Sequence, residues 1–418
     1  MSHSHNSNSY FCPLIISSSH SLTPLTLSLS HPLTLSPSVM LINKIPSPCF
    51  VLDETRFRQN LSLIARVQKE AGVQIILAFK GFAMWSAFPI VREYVQGATA
   101  SSLSEARLCF EEMKTKAHTY SVAYAPREFG KILGYSSHIT FNSIGQYRRF
   151  RKKVQAAKEP VSPGIRVNPG WSPVGTALYN PASPGSRLGE PVENFKGKLP
   201  EGIEGLHFHT LCESSSYDLE KTLEYFEGQF GAFLPQVKWV NFGGGHLMTR
   251  QGYDVEHLIS VLKAFKKRHP HLHVLLEPGS AFAWDTGVLV SSVLDIVHNK
   301  KVKTAILDVS FTAHMPDTLE MPYRPRVQGA SEEPVAGQPQ YRLGGVSCLS
   351  GDFLKAYSFE KPLKVGQKVV FEDMIHYTMV KTTTFNGVTH PSIAIWRQDG
   401  TLDVVRRFGY NDYKRRLS

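Results

Sequence analysis

The chain has 418 residues, 42% apolar and 19% charged, and Lys plus Arg outnumber Asp plus Glu by 46 to 35, a formal charge of +11. That length exceeds one small domain and fits one large or two medium ones, each with a sizeable core. No Lys/Arg run is interleaved with aromatics, so no nucleic-acid groove is indicated; no apolar run is long enough to span a membrane. Five cysteines, at 12, 49, 109, 212 and 348, are an odd number with no close pair. They point to a reducing, cytoplasmic setting without metal knuckles.

Residues 1–39 contain no Asp, Glu, Lys or Arg and are dense in Ser, His, Thr, Leu and Pro. They match neither a secretory signal nor a mitochondrial transit peptide. A disordered extension is expected, with Met40 as the working start. Pro46 and Pro48 then precede Phe50-Val51-Leu52, which reads as a short edge-type strand. Asp53 is placed to cap a helix with Phe57, Leu61, Ile64 and Ala65 on one face and Gly72 past its end. Short β-rich runs follow at Gln74–Phe79, Ala98–Ser101, Thr119–Val122, Ile139–Asn142, Ile165–Val167, Leu206–His209, Trp239–Phe242 and Val274–Leu276. Helical patterns such as Leu103–Met113, Tyr217–Phe230 and Val255–Lys267 lie between them. Eight strands in βα alternation over roughly 200 residues predict a (β/α)8 TIM-type barrel at 53–282, with a doubly wound open sheet as the rival. Beyond Ala283 the runs are strand-like: Val288–Val297, Thr304–Val309, Val369–Phe371, Ile393–Ile395 and Leu402–Val405. They predict a β domain of 283–418 that borrows a strand from 40–52. The basic tail, Arg406, Arg407, Lys414, Arg415 and Arg416, reads as a solvated end.

Active residues of such barrels sit at the C-terminal ends of strands. Four predicted strands end on unusual residues. Lys80 closes the run Ile75–Phe79, where desolvation would lower its pKa and make its amine nucleophilic; a lysine snorkelling to water is the alternative. His207 and His209 end the sixth strand, and His209 could face a flat ring or be a hydrogen-bonded histidine of the barrel mouth. Gly243-Gly244-Gly245 follows the seventh, offering backbone N–H groups to a phosphate or making only a tight turn. Glu277 lies between Leu276 and Pro278 after the eighth, and a buried carboxylate needs a cation such as a pyridinium nitrogen or an arginine. Together they describe pyridoxal 5'-phosphate.

The same segments resemble the fold-type III pyridoxal-phosphate decarboxylases, the group of ornithine and diaminopimelate decarboxylases, with an alanine-racemase-like barrel and β domain. ILAFKGFAMW at 76–85, GLHFHTLCE at 205–213, NFGGGH at 241–246, LLEPGSA at 275–281 and GGVSCLSGD at 344–352 carry the likeness. HMPDTLEMPYRP at 314–325 and HYTMVKTTTFNG at 376–387 resemble the carboxynorspermidine/carboxyspermidine branch. The resemblance implies Lys80 as the Schiff-base lysine, His209 against the pyridine ring, Gly243–Gly245 at the phosphate and Glu277 at the ring nitrogen. It implies Tyr377 near the phosphate and Cys348 as a proton donor offered by the second subunit of a homodimer whose active sites are shared. The implied reaction converts carboxynorspermidine to norspermidine, or carboxyspermidine to spermidine, with release of carbon dioxide, and needs no metal. Asp317, Glu320 and Asp352 are the candidate acids for the substrate's amines, with His314 and Arg187 as neighbours of unassigned role. Ser280 departs from the arginine usual after Glu-Pro-Gly. Alternatives are an ornithine, lysine or diaminopimelate decarboxylase, a cofactor-free Schiff-base aldolase, a cofactor carrier, and a racemase, which would want Arg in place of Glu277.

Overall fold

In the computed structural model, which describes residues 42–418, the first regular element is strand β1, Cys49–Asp53. The expectations for 1–39 and Met40 lie outside the described residues. Helix Glu54–Ala71 follows directly. The Asp53 carboxylate accepts from Arg56 N–H at 3.0 Å, and the helix stops at Gly72 in the left-handed region, φ 64°. It buries Phe57, Leu61, Ile64 and Val67. Val67 holds the core position expected for Ala65, which is only partly buried.

The parallel strands come next: β2 Gln74–Ile75, β3 Leu77–Ala78, β4 Ala98–Ala100, β5 Ala117–Ser121, β6 Ser136–Phe141, β7 Ser162–Arg166, β8 Gly205–His207, β9 Trp239–Asn241 and β10 His273–Leu276. β2 pairs with β10 while β3 pairs with β4. These two are consecutive halves of one strand, so the ring closes on itself as the expected barrel, and an open sheet is excluded. Each predicted strand is present, displaced by at most a few residues.

Alternate residues of each strand point inward. At the N-terminal end of the barrel the bulk is Trp239, whose ring lies against Gly164 and Gly205, where any Cβ would overlap the indole. Beside it the His118 and His138 rings stack at 3.9 Å, and His138 meets Trp239 edge-on at 5.3 Å. This packed floor leaves the opposite, C-terminal end for the site.

Further strands form a second sheet: β11 Gly287–Asn299, β12 Val302–Leu307, β13 Ala330–Ser331, β14 Gln340–Gly344, β15 Phe353–Phe359, β16 Lys368–Glu372, β17 Ser392–Trp396 and β18 Leu402–Arg406. Its order is β13-β15-β14-β12-β11-β1-β17-β18, with β16 also on β11. β1 was expected at an edge, yet it lies between β11, antiparallel, and β17, parallel. The prolines explain the difference: both precede the strand, so every N–H from Cys49 onward remains free to pair. Of the basic tail, Arg406 ends β18, and Lys414, Arg415 and Arg416 lie on a helix, Tyr410–Leu417, with no buried residue.

The floor makes acid stability testable. Burial, with His273 nearby, lowers the His138 pKa to about 4. The unfolded imidazole, near 6.5, binds a proton that the folded one refuses, so stability is lost as pH falls from about 6.5 toward 4. His138→Gln should abolish on the order of 2 kcal/mol of that loss by pH 5, read from urea titrations at pH 7 and pH 5. An unchanged pH dependence would count against a neutral, buried His138.

Candidate active site

Lys80, His209, the glycine triplet and Glu277 come from different strand ends and converge in the C-terminal mouth of the barrel. Lys80 Nζ lies 3.1 Å from His209 Nε2. Gly244 N–H donates to His209 Nδ1 at 2.9 Å. Glu277 N–H donates to Gly243 O at 2.7 Å, and Gly243 N–H donates to Asn241 Oδ1 at 2.8 Å. Asn241 Nδ2 closes the set by donating to Glu277 Oε1 at 2.6 Å.

These bonds assign protons. With Nδ1 accepting from Gly244, a neutral His209 carries its hydrogen on Nε2. That hydrogen points at Lys80 Nζ, and only a neutral amine has a lone pair to receive it. The electrostatics agree. Burial first, then the Arg166 guanidinium, pushes the Lys80 pKa down, although Glu277 opposes this. Burial and then Lys80 hold His209 well below the usual imidazole range. Lys80 is exposed in the barrel mouth, yet desolvation by the protein around it leads the downward shift. Arg166 is fixed by a bond to His209 O at 2.9 Å and by stacking over Tyr120, 4.9 Å from its centroid.

The glycine triplet differs from a row of free N–H groups. Gly243 and Gly244 already donate inside the protein, leaving Gly245 N–H without a protein acceptor among the described residues. Glycine is required here chiefly for close packing: a Cβ at 243, 244 or 245 would overlap Phe208 O, Glu277 O or Leu211 O respectively. Ser280 opens a one-turn helix, Ser280–Ala283, beside Gly81.

Glu277 is 5% exposed, and burial pushes its carboxyl pKa up, opposed first by the Asn241 bond. Tyr377, at the start of a short helix, faces the segment after β8: burial, then the charges of Cys212 and Glu213, raises its pKa. Next to it His376 stands 3.0 Å from Asp373 Oδ2, though without hydrogen-bond alignment, and stacks on Trp284 at 5.6 Å. Burial alone would depress the His376 pKa; Asp373 more than offsets that, and the net shift is upward.

The candidate acids separate. Asp317 Oδ2 accepts from Tyr323 and Thr378 hydroxyls, both at 2.8 Å, and its Oδ1 is buried without a protein partner among the described residues. Glu320 is ion-paired with Lys381. Asp352, expected to hold substrate amines, is instead committed inside the protein. It is 4% exposed and accepts from Phe311 N–H at 2.6 Å and from Thr312 and Ser347 N–H at 3.1 Å each. It therefore fastens the turn bearing Cys348 to the helix at Phe311–His314. Asn386 holds the same turn, accepting from Cys348 N–H at 2.9 Å. Cys348 itself is exposed, and no hydrogen bond or ion pair joins it to Lys80 within the described residues. His314 is buried, its Nδ1 accepting from Ser310 N–H at 3.2 Å, and Arg187 is exposed beyond Asn142, which donates to its carbonyl at 2.8 Å. Sequence reading missed Asn241, Arg166 and Asn386. The inward alternation of β7 and β9 was the available signal for the first two; nothing in the sequence marked Asn386.

The chain matches the family description "Pyridoxal-dependent decarboxylase, C-terminal sheet domain" over residues 42–375 and belongs to that family. It is 52% identical over 376 residues to carboxyaminopropylagmatine decarboxylase of Synechocystis sp., covering 90% of this chain and 96% of the relative. It is 44% identical to carboxynorspermidine/carboxyspermidine decarboxylase of Campylobacter jejuni, covering 90% of this chain and all of the relative (100%). The crystal structure of carboxynorspermidine decarboxylase from Campylobacter jejuni complexed with norspermidine superposes with a TM-score of 0.83 at 43% identity, covering 89% of this chain and 100% of the other. The barrel with its β-sheet partner is thus the fold-type III architecture of these decarboxylases. No helix of the described residues is long and apolar enough to cross a membrane.

One consequence concerns the cysteine turn. Asp352→Ala leaves three N–H groups without an acceptor and should cost about 3 kcal/mol, read by urea unfolding. A loss under about 0.5 kcal/mol, the range of an ordinary surface substitution, would show that the carboxylate does not fasten the turn.

Proposed function

We propose that the chain decarboxylates carboxylated polyamines, carboxyspermidine and carboxynorspermidine, using pyridoxal 5'-phosphate. The observation that carries the reading is the Lys80 amine, its pKa lowered by burial, standing 3.1 Å from His209 Nε2 within the same mouth as the buried Glu277 carboxylate. An amine, a flat imidazole and a carboxylate in one cavity fit an aldehyde, an aromatic ring and a basic ring nitrogen. Lys80 would hold the group, His209 would face its ring and Glu277 would engage its nitrogen. Gly245 N–H, with Tyr377 nearby, would meet the phosphate. When bound, the group supplies an electron sink for the bond to the departing carboxylate.

The chain's own residues do the rest. The lowered pKa of Lys80 favours its free base, the form that reacts as a nucleophile. Glu277 would supply the opposite charge that favours a protonated ring nitrogen in a low-dielectric site. Cys348 returns a proton to the carbon that lost carbon dioxide. In this reading Cys348 comes from the second subunit of a homodimer. Exposed Val346, Leu349 and Phe353 flank it and would be covered by that subunit. The Asp317 Oδ1 lone pairs are the seat for a substrate ammonium, with Glu320 near it in sequence but already paired.

A second reading has a specific support. The 52% relative acts on carboxyaminopropylagmatine, which ends in a guanidinium group. Asp317 would accept that cation as well as an ammonium.

Carbon dioxide release from carboxyspermidine, carboxynorspermidine, carboxyaminopropylagmatine, ornithine, lysine and diaminopimelate separates these. Turnover confined to the two carboxylated polyamines supports the first reading, and preference for carboxyaminopropylagmatine the second. Turnover of ornithine, lysine or diaminopimelate alone contradicts both. Cys348→Ala should still bind the cofactor and lose about 100-fold or more in kcat. Asp317→Asn should raise KM about 10-fold with little change in kcat. Full activity in either variant removes that residue from the scheme.

A further inference from the structure

His207 ends β8, two residues before His209, and so points into the barrel on the same side. It is 2% exposed, and neither ring nitrogen has a hydrogen-bond partner among the described residues. A buried imidazole with both nitrogens unsatisfied is costly and rare. Its Nε2 stands 3.6 Å from Glu277 Oε2. That is beyond a hydrogen bond, and a closure of about 0.6 Å would make one. The other oxygen, Oε1, is already held by Asn241.

We propose that His207 is a positioning residue for Glu277, donating Nε2–H to Oε2 while the carboxylate faces the cofactor's ring nitrogen. This rests on the decarboxylase reading above and adds to it the device that sets Glu277 in place. A carboxylate offers about four lone-pair directions, so Asn241 and His207 leave room for the ring nitrogen. The neutrality of the donor is what suits it to the task. A cation beside Glu277 would satisfy the carboxylate's charge and weaken its hold on a protonated ring. His207 is kept neutral by burial first, then by Arg166 and Lys80, and the Tyr120 ring packs edge-on against it at 5.5 Å. It can therefore orient Glu277 and leave its charge for the ring.

Titration of cofactor-free protein with pyridoxal phosphate, followed by absorbance and equilibrium dialysis, tests this. His207→Leu should raise the dissociation constant about 10-fold or more and shift the visible spectrum toward that of an unprotonated ring. His207→Gln places its amide nitrogen where Nε2 stands and should remain within about 3-fold of the native chain; His207→Asn places it where Nδ1 stands and should behave like His207→Leu. In a Glu277→Gln background the effect of His207→Leu should shrink to under about 2-fold, because the residue acts through Glu277. If His207→Leu does not fold, the Gln and Asn variants carry the comparison. Native affinity and spectrum in His207→Leu, equal behaviour of Gln and Asn, or an undiminished effect in the Glu277→Gln background overturns the proposal. Failure of the unsubstituted chain to bind pyridoxal phosphate would instead overturn the decarboxylase reading.

Discussion

The bond from Gly244 N–H to His209 Nδ1 decides what the mouth of the barrel can do. It uses the one lone pair that a neutral imidazole has, so the remaining nitrogen must carry hydrogen and face Lys80 as a donor. A charged lysine would then meet a donor with a donor at 3.1 Å. The arrangement is consistent only with a neutral amine. The glycine triplet, the histidine and the lysine are therefore one unit, although they lie at three different strand ends. The glycines contribute by being small: they let the backbone after β9 approach both His209 and Glu277.

A second constraint is the charge that the same site buries. Glu277 lies below water's reach and is costly there unless neighbours favour its charged form. Asn241 holds one oxygen, and His207 stands beside the other without cancelling the charge. Lys80 and Glu277 consequently have pKa values pushed in opposite directions by the same burial, the amine down and the carboxyl up. Both shifts run toward neutral pH, which is where acid–base chemistry requires titratable groups to lie. The second sheet adds a different element: a turn carrying Cys348, fixed by the Asp352 carboxylate on one side and the Asn386 amide on the other.

Much of this was readable from the chain. Eight short β-rich runs alternating with helical patterns gave the barrel, because strands covered by helices on one face and packed on the other read as short apolar runs. Lys80, His209, Gly243–Gly245 and Glu277 stood out because each broke an apolar run at a strand end. What could not be read was which polar groups answer which. Asp352 looks like any acid, and only the fold shows three backbone N–H groups turned toward it. The glycine triplet looked like three free donors, and two are taken by Asn241 and His209. β1 looked like an edge strand because prolines precede it, and only the pairing shows that they stop short of the ladder.

Lys80 as a neutral, singular nucleophile is the feature on which the chemistry of the site turns. It is tested most directly by trapping pyridoxal phosphate on cofactor-free protein with borohydride across a range of pH, then mapping the modified lysine by mass spectrometry. The label is expected at Lys80, with a trapping rate whose midpoint lies well below the ordinary lysine pKa of about 10.4. Label spread over other lysines, or a midpoint at the ordinary value, would contradict it.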